Sequence, residues 1–184
     1  QLVTFQDKLN IRKKYLMQLA YGDSLTGLYN RRYFDKILAT EIKRADRYRR
    51  VLTMIMVDID HFKKFNDTFG HQKGDSVLRT VGALLKENSR SSDIVCRYGG
   101  EEIAILLPEQ DIKQGFATAE KLRIILAVEA KEIEDVEITA SFGVSSTGGK
   151  AITGEQLIEK SDEALYFAKK SGRNCPKALK VSHP

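Results

Sequence analysis

The chain predicts an α+β sandwich, with helices packed over a mostly antiparallel sheet. Three observations carry this. Apolar runs of strand length alternate with longer stretches of helical period, the pattern of interleaved elements that share one core. Two strand-like runs, Ile94-Val95-Cys96 and Ile103-Ala104-Ile105-Leu106-Leu107, flank a Gly99-Gly100 pair and read as a hairpin. The run Val51–Ile59 is continuously apolar until Asp58 and reads as a central strand buried on both faces.

The elements follow in order. Residues 1–21 read as a helix, with Leu2, Phe5, Leu9, Leu16 and Leu19 on three- and four-residue steps and Arg12 interrupting the seam. That spacing suits a coiled-coil stalk over residues 1–22, ahead of a domain over 23–184. An amphipathic helix lying on the domain itself is the other reading. Gly22-Asp23-Ser24 breaks the helix, and Asn30 suits the N-cap of the next one, residues 31–48. A strand over 51–59, a short helix near 61–68 and a helix over 75–88 come next. The hairpin spans 93–107, and its glycines are expected to supply the positive φ of a tight turn. Residues 112–130 read as a helix, with Phe116, Ala119, Leu122 and Leu126 at core spacing. Ile138–Val144 alternates like a strand, 154–171 forms a last long helix, and Ala178–Val181 an edge strand.

Composition narrows the classes. The chain has 184 residues, 42% of them hydrophobic, and a net charge of +5. That length suits one domain with an appendage, and the mild basic excess suits binding of anionic nucleotides. No long Lys/Arg run with interleaved aromatics is present, which argues against nucleic-acid binding. No apolar run approaches the length of a membrane span, and no signal peptide is evident, so no membrane contact is expected of this stretch. The first residue is Gln, which suits a piece cut from a larger membrane-bound or sensor protein, its expected place the cytoplasm. Cys96 and Cys175 form no CxxC pair, and Cys96 reads as a small core residue.

The chemistry-bearing residues gather at the strand ends. Gly99-Gly100-Glu101-Glu102 puts two carboxylates on a turn whose glycines let a bulky anion approach the backbone. Acids repel phosphates unless a cation lies between them, which points to Mg²⁺ and a nucleoside triphosphate. Asp58 ends the central strand and is the better metal candidate. Asp60 reads first as the N-cap of the following helix and second as a ligand. Mg²⁺ takes one or two carboxylates and fills its shell with water and substrate phosphates.

These motifs together resemble the GGDEF domain, the diguanylate cyclase module of bacterial signalling proteins. The resemblance runs from about residue 23 to 175. It rests on Asp23-Ser24-Leu25-Thr26-Gly27-Leu28-Tyr29-Asn30-Arg31-Arg32 and on Asp58-Ile59-Asp60-His61-Phe62-Lys63. It rests also on Asn66-Asp67-Thr68-Phe69-Gly70-His71 with Gly74-Asp75, on Gly99-Gly100-Glu101-Glu102, and on Ala168-Lys169-Lys170-Ser171-Gly172-Arg173-Asn174. It implies the ferredoxin-like palm of nucleotidyl cyclases and the condensation of two GTP to cyclic di-GMP and two pyrophosphates across a homodimer. It further implies that Asp58, the Ile59 carbonyl and Glu101 hold Mg²⁺ or Mn²⁺, with Glu101 or Glu102 helping to deprotonate the attacking 3′-hydroxyl. Lys63, Lys169 and Arg173 would carry charge to the phosphates, although all three also suit solvated helix faces. Asn66 and Asp75 would read guanine, with His71 nearby, and Asp75 argues against ATP. Arg90-Ser91-Ser92-Asp93 matches the RxxD product-inhibition site, and it also fits a helix end followed by a turn. The motif ends in Ile103 where Phe is usual, a change expected to alter packing more than chemistry. A catalytically silent receptor for GTP or cyclic di-GMP is the alternative function.

Overall fold

The structure is a computed structural model, and it describes residues 4–181. Leu2 and residues 182–184 lie outside the described residues. The elements are α1 (Phe5–Tyr21), α2 (Arg31–Tyr48), β1 (Leu52–Ile59), α3 (Phe62–Phe69), α4 (His71–Glu87), β2 (Ile94–Arg97), β3 (Glu102–Pro108), α5 (Ile112–Glu134), β4 (Ala140–Ser146), α6 (Gly154–Lys170) and β5 (Pro176–Lys180). The strands form one five-stranded sheet in the order β2-β3-β1-β4-β5. The β4–β5 pair is parallel and the other three pairs of the sheet are antiparallel. The first four strands have the order and helical crossovers of a ferredoxin-like palm, as expected.

Strand parity sorts the core into two layers. Ile55, Val57 and Ile59 of β1 pack with Val81, Leu85, Leu122 and Leu126 of α4 and α5. Met54 and Met56 point the other way, into a layer with Phe34 and Leu38 of α2 and Leu157 and Leu165 of α6. Asp58 has the parity of the methionines and Glu102 that of Ala104 and Leu106, so both belong to the α2–α6 face. The two stand opposite each other in the β1–β3 register. Cys96 is fully buried in this same layer, and burial pushes its thiol up to about 12.

α6 seats directly on β4. A Cβ added at Gly143 would lie 2.0 Å from the Ser161 carbonyl oxygen and 2.4 Å from the Leu165 nitrogen, so only glycine permits this approach. All seven residues of β4 are buried, and its serines are satisfied; Ser145 Oγ donates to the Leu157 carbonyl at 2.7 Å. On the opposite layer, buried Glu134 at the end of α5 accepts from Lys73 Nζ at 2.7 Å and from Ser76 and Thr80. That network fastens the first turns of α4 to α5.

Some expectations are corrected. α4 begins at His71, a turn before residue 75, because Gly70 at φ 86° separates it from α3. α5 runs on to Glu134. Phe116 is 40% exposed, because the buried stripe runs through Gly115 and Ala119, one helical step away. Asp60 is no N-cap: that position is His61, without a side-chain cap bond. The turn glycines Gly99 and Gly100 both stay out of the left-handed region. Residues 98–101 form a four-residue loop, closed by Tyr98 N–H donating to the Glu102 carbonyl at 2.8 Å. Longer loops of this kind do not need the positive φ of a two-residue turn.

α1 leaves its apolar residues largely in solvent: Phe5 is 78% exposed and Leu19 64%. It therefore does not lie down on the domain as an amphipathic cover. Among the described residues, no helix is long and apolar enough to cross a membrane.

Candidate functional site

The site begins where β1 ends. Asp58 is 8% exposed, and its Oδ2 lies 2.8 Å from Lys169 Nζ, which α6 delivers from its last turn. Burial raises the Asp58 carboxyl above its usual range, against the hydrogen bond and charge of Lys169. Across the sheet, Glu101 is also raised, first by burial and then by the negative charges of Asp58 and Glu102. Asp162 on α6 is raised by burial and by Glu102. Crowded carboxylates of this kind hold their protons more tightly, and a nearby cation relieves them.

That electrostatics fits a divalent cation. Beyond burial, the Asp58 charge raises Glu101, the Asp60 charge raises Asp58, and the Lys169 ammonium already occupies the place of a positive partner on Asp58. Among the described residues, no group of three or more His, Cys, Asp and Glu forms a closed metal cage. A sparse set of hard oxygen donors suits Mg²⁺, which keeps water and takes phosphate oxygens.

The glycines leave room above these acids. A Cβ on Gly99 would meet Glu102 Oε2 at 2.6 Å, so Gly99 lets Glu102 fold under the turn. At Gly100 a Cβ would meet nothing within 4 Å, which leaves the outer side of the turn open. The turn is held from below by Arg97, whose Nη2 donates to the Gly100 carbonyl at 2.9 Å. The same guanidinium binds Asp23, in the segment linking α1 to α2. Sequence reasoning passed over Arg97 and Asp162, since Arg97 meets Asp23 74 residues away and Asp162 acts on Glu102 from another element.

A second group lies on the α3–α4 corner that follows β1. Asn66 Oδ1 is buried and has no hydrogen-bond partner. It lies where a side chain on Gly74 would be, 1.8 Å from a Cβ placed there. Asp75 is half-buried on the next position of α4, and His71 is exposed at that helix's first residue. A buried acceptor without a partner costs about 1–3 kcal/mol, which a donor-bearing ligand offsets. Lys63 is exposed on the first turn of α3, and Arg173 is exposed in the turn after α6.

The third group stands apart. Arg90 N–H donates to Asp93 Oδ2 at 2.9 Å, and burial raises the Asp93 carboxyl. Both line a cavity of about 380 Å³ with Lys86 and Ser89 and with Met17 and Gln18 of α1.

Known proteins share this framework. Residues 20–175 match the family described as diguanylate cyclase, GGDEF domain. Response regulator PleD of Caulobacter vibrioides is 40% identical over 174 residues, 92% of this chain and 38% of PleD. Diguanylate cyclase DosC of Escherichia coli K12 is 40% identical over 163 residues, 87% of this chain and 35% of DosC. The chain thus spans less than two fifths of these relatives. The coiled coil and GGDEF domain of DgcB from Caulobacter crescentus, solved with c-di-GMP, superposes with a TM-score of 0.83 at 31% identity, covering 94% of this chain and 93% of that one. The active GGEEF domain of a diguanylate cyclase from Vibrio cholerae gives 0.76 at 34% identity, covering 84% and 98%. Matched over residues 20–175 and sharing the fold of these domains, this chain belongs to the GGDEF family.

Proposed function

We propose that the protein is a diguanylate cyclase, joining two GTP molecules across a homodimer. The observation that carries this is the meeting of Asp58, Glu101 and Glu102 beneath an open Gly100, with Lys169 2.8 Å from Asp58. Asp58, the Ile59 carbonyl and Glu101 would hold Mg²⁺ or Mn²⁺. When bound, such an ion neutralises charge on the phosphates and aligns the attacking oxygen. Lys63, Lys169 and Arg173 supply further positive charge to the phosphates. Asn66 and Asp75 take the guanine edge, where Asp75 accepts from donors that adenine lacks; His71 is exposed one turn before Asp75 on the same helix.

In each half-reaction the 3′-oxygen of one GTP forms a bond to the α-phosphorus of the other, and the bond to the bridging oxygen breaks. Pyrophosphate leaves, and the hydroxyl proton passes to Glu101 or Glu102. The second half-reaction closes the ring. One domain supplies half of such a centre, so two must meet. The exposed apolar residues of α1 support a stalk over residues 1–22 that pairs two copies and raises their effective concentration. An upstream sensor would act through that stalk. GTP is a cytoplasmic nucleotide, and this reading puts the domain in that compartment.

A second reading, a silent receptor for cyclic di-GMP, is favoured by one observation. The Arg90–Asp93 cavity is built separately from the acid cluster and has a ligand's volume. In the cyclase reading the same cavity is the product-inhibition site. Incubation with GTP and Mg²⁺ at several protein concentrations separates the two. Cyclic di-GMP and pyrophosphate formed at a specific rate that rises with protein concentration establish a dimeric cyclase. No product at any concentration, with bound cyclic di-GMP removed first, leaves the receptor.

A further inference from the structure

Asp60 lies two residues beyond Asp58, yet both of its carboxylate oxygens already accept hydrogen bonds. Oδ1 accepts from Ser141 Oγ at 2.7 Å. Oδ2 accepts from Thr139 Oγ1 at 2.8 Å and from the backbone N–H of Asn174 at 3.0 Å. Asp60 N–H in turn donates to the Thr139 carbonyl at 2.9 Å. The acid therefore knots the end of β1 to β4 and to the turn after α6.

That turn is strained. Gly172, Arg173 and Asn174 have φ of 107°, 65° and 45°, three successive residues in the left-handed region. Two of them carry a Cβ, and such backbone persists only where its surroundings over-determine it. Arg173 N–H donates to the Ala168 carbonyl at 3.1 Å. Asn174 is gripped on both sides: its N–H by Asp60, and its Oδ1 by Arg123 Nη1 at 3.1 Å. Arg123 is itself fixed by two hydrogen bonds to Glu120.

We infer that Asp60 is a positioning residue: it holds the strained 172–174 turn against the sheet and so sets Arg173 and the end of α6 for phosphate binding. Three donors already bond its two oxygens and leave one lone-pair site, so the work assigned to Asp60 is holding the turn rather than ligating a metal. The inference rests on the cyclase reading for the identity of the ligand, and its structural half stands without it.

Asp60→Ala and Asp60→Asn tell the roles apart. In Asp60→Ala the Asn174 N–H loses its acceptor. In Asp60→Asn the amide oxygen can accept from Asn174 N–H and Thr139 while the amide nitrogen donates to Ser141. Amide exchange is followed by NMR on the full chain. Binding of a GTP analogue with a non-cleavable α–β bridge is measured with Mg²⁺ titrated. Asp60→Ala is expected to speed Asn174 exchange and weaken the analogue, each by roughly tenfold, while amides inside β1 keep their protection. Asp60→Asn should stay within about threefold of the parent, with one Mg²⁺ midpoint for all three proteins. Unchanged Asn174 exchange in Asp60→Ala overturns the anchor. Faster exchange with undiminished analogue binding overturns the positioning role. Equal losses in both variants with a shifted Mg²⁺ midpoint make Asp60 a ligand and overturn the inference. If the parent protein binds no analogue, the cyclase reading fails, and Asn174 exchange alone decides whether Asp60 holds the turn.

Discussion

Arg97 Nη1 lies 3.2 Å from both carboxylate oxygens of Asp23. Asp23 follows α1 directly, and the other arms of the same guanidinium hold the Gly100 carbonyl. The segment after α1 and the Gly-Gly turn are thus joined by one side chain. A planar fork can serve both ends, whereas an ammonium is a single point charge. Arg97→Lys should therefore recover part of the stability lost in Arg97→Ala, about 1–3 kcal/mol, but little of the turnover. Thermal melts and initial rates check this; full rates in Arg97→Lys would show that the turn does not need the link to Asp23.

The raised carboxyls of Asp58 and Glu101 make metal binding depend on pH. Both bind protons more tightly folded than unfolded, so in metal-free protein they favour the fold at low pH. That contribution is lost as pH rises from about 4 through their elevated folded range. A divalent cation must displace those protons. Mg²⁺ affinity should then climb with pH across that range, with protons released on binding. Glu101→Gln should flatten the slope and weaken Mg²⁺ at least roughly tenfold. Calorimetry in two buffers of different ionisation enthalpy measures the released protons.

Gly143 controls how closely α6 approaches β4. Gly143→Ala meets backbone atoms of Ser161 and Leu165, which cannot rotate away. A loss of about 1–3 kcal/mol or more is expected in urea unfolding. Because α6 carries Lys169, GTP affinity should fall alongside stability.

Arg90 tests the separate cavity. Arg90→Ala should weaken cyclic di-GMP binding at least roughly tenfold, since a charge-assisted bond to phosphate or guanine is lost. It should leave the initial rate intact, because Arg90 stands apart from the acids of β1 and β3. Inhibition by added product that is unchanged in this variant would remove the cavity from regulation.

Much of the fold was legible locally. The uninterrupted apolar run of β1 announced a strand covered on both faces, and Asn30 does cap α2, accepting from Tyr33 N–H at 3.0 Å. The carboxylates of Asp58 and Glu101 were legible too, because acids at the ends of apolar strands stand out against their surroundings. Phe116 shows the limit of the same reasoning. Helical spacing alone allowed it into the core, and the packed face left it outside, since a helix turns about 100° per residue.

Sequence by itself determined where strands and helices lie, which residues are apolar on which face, and which acids end the central strand. These follow from short-range periodicity and side-chain chemistry. Tertiary structure decided which partners those acids meet. The partners of Asp60 lie 79, 81 and 114 residues away, and Asp23 lies 74 from Arg97. No local pattern encodes such pairs. A carboxylate read as a helix cap became an anchor because the sheet brought two hydroxyls and a strained turn to it, and buried donors must find acceptors.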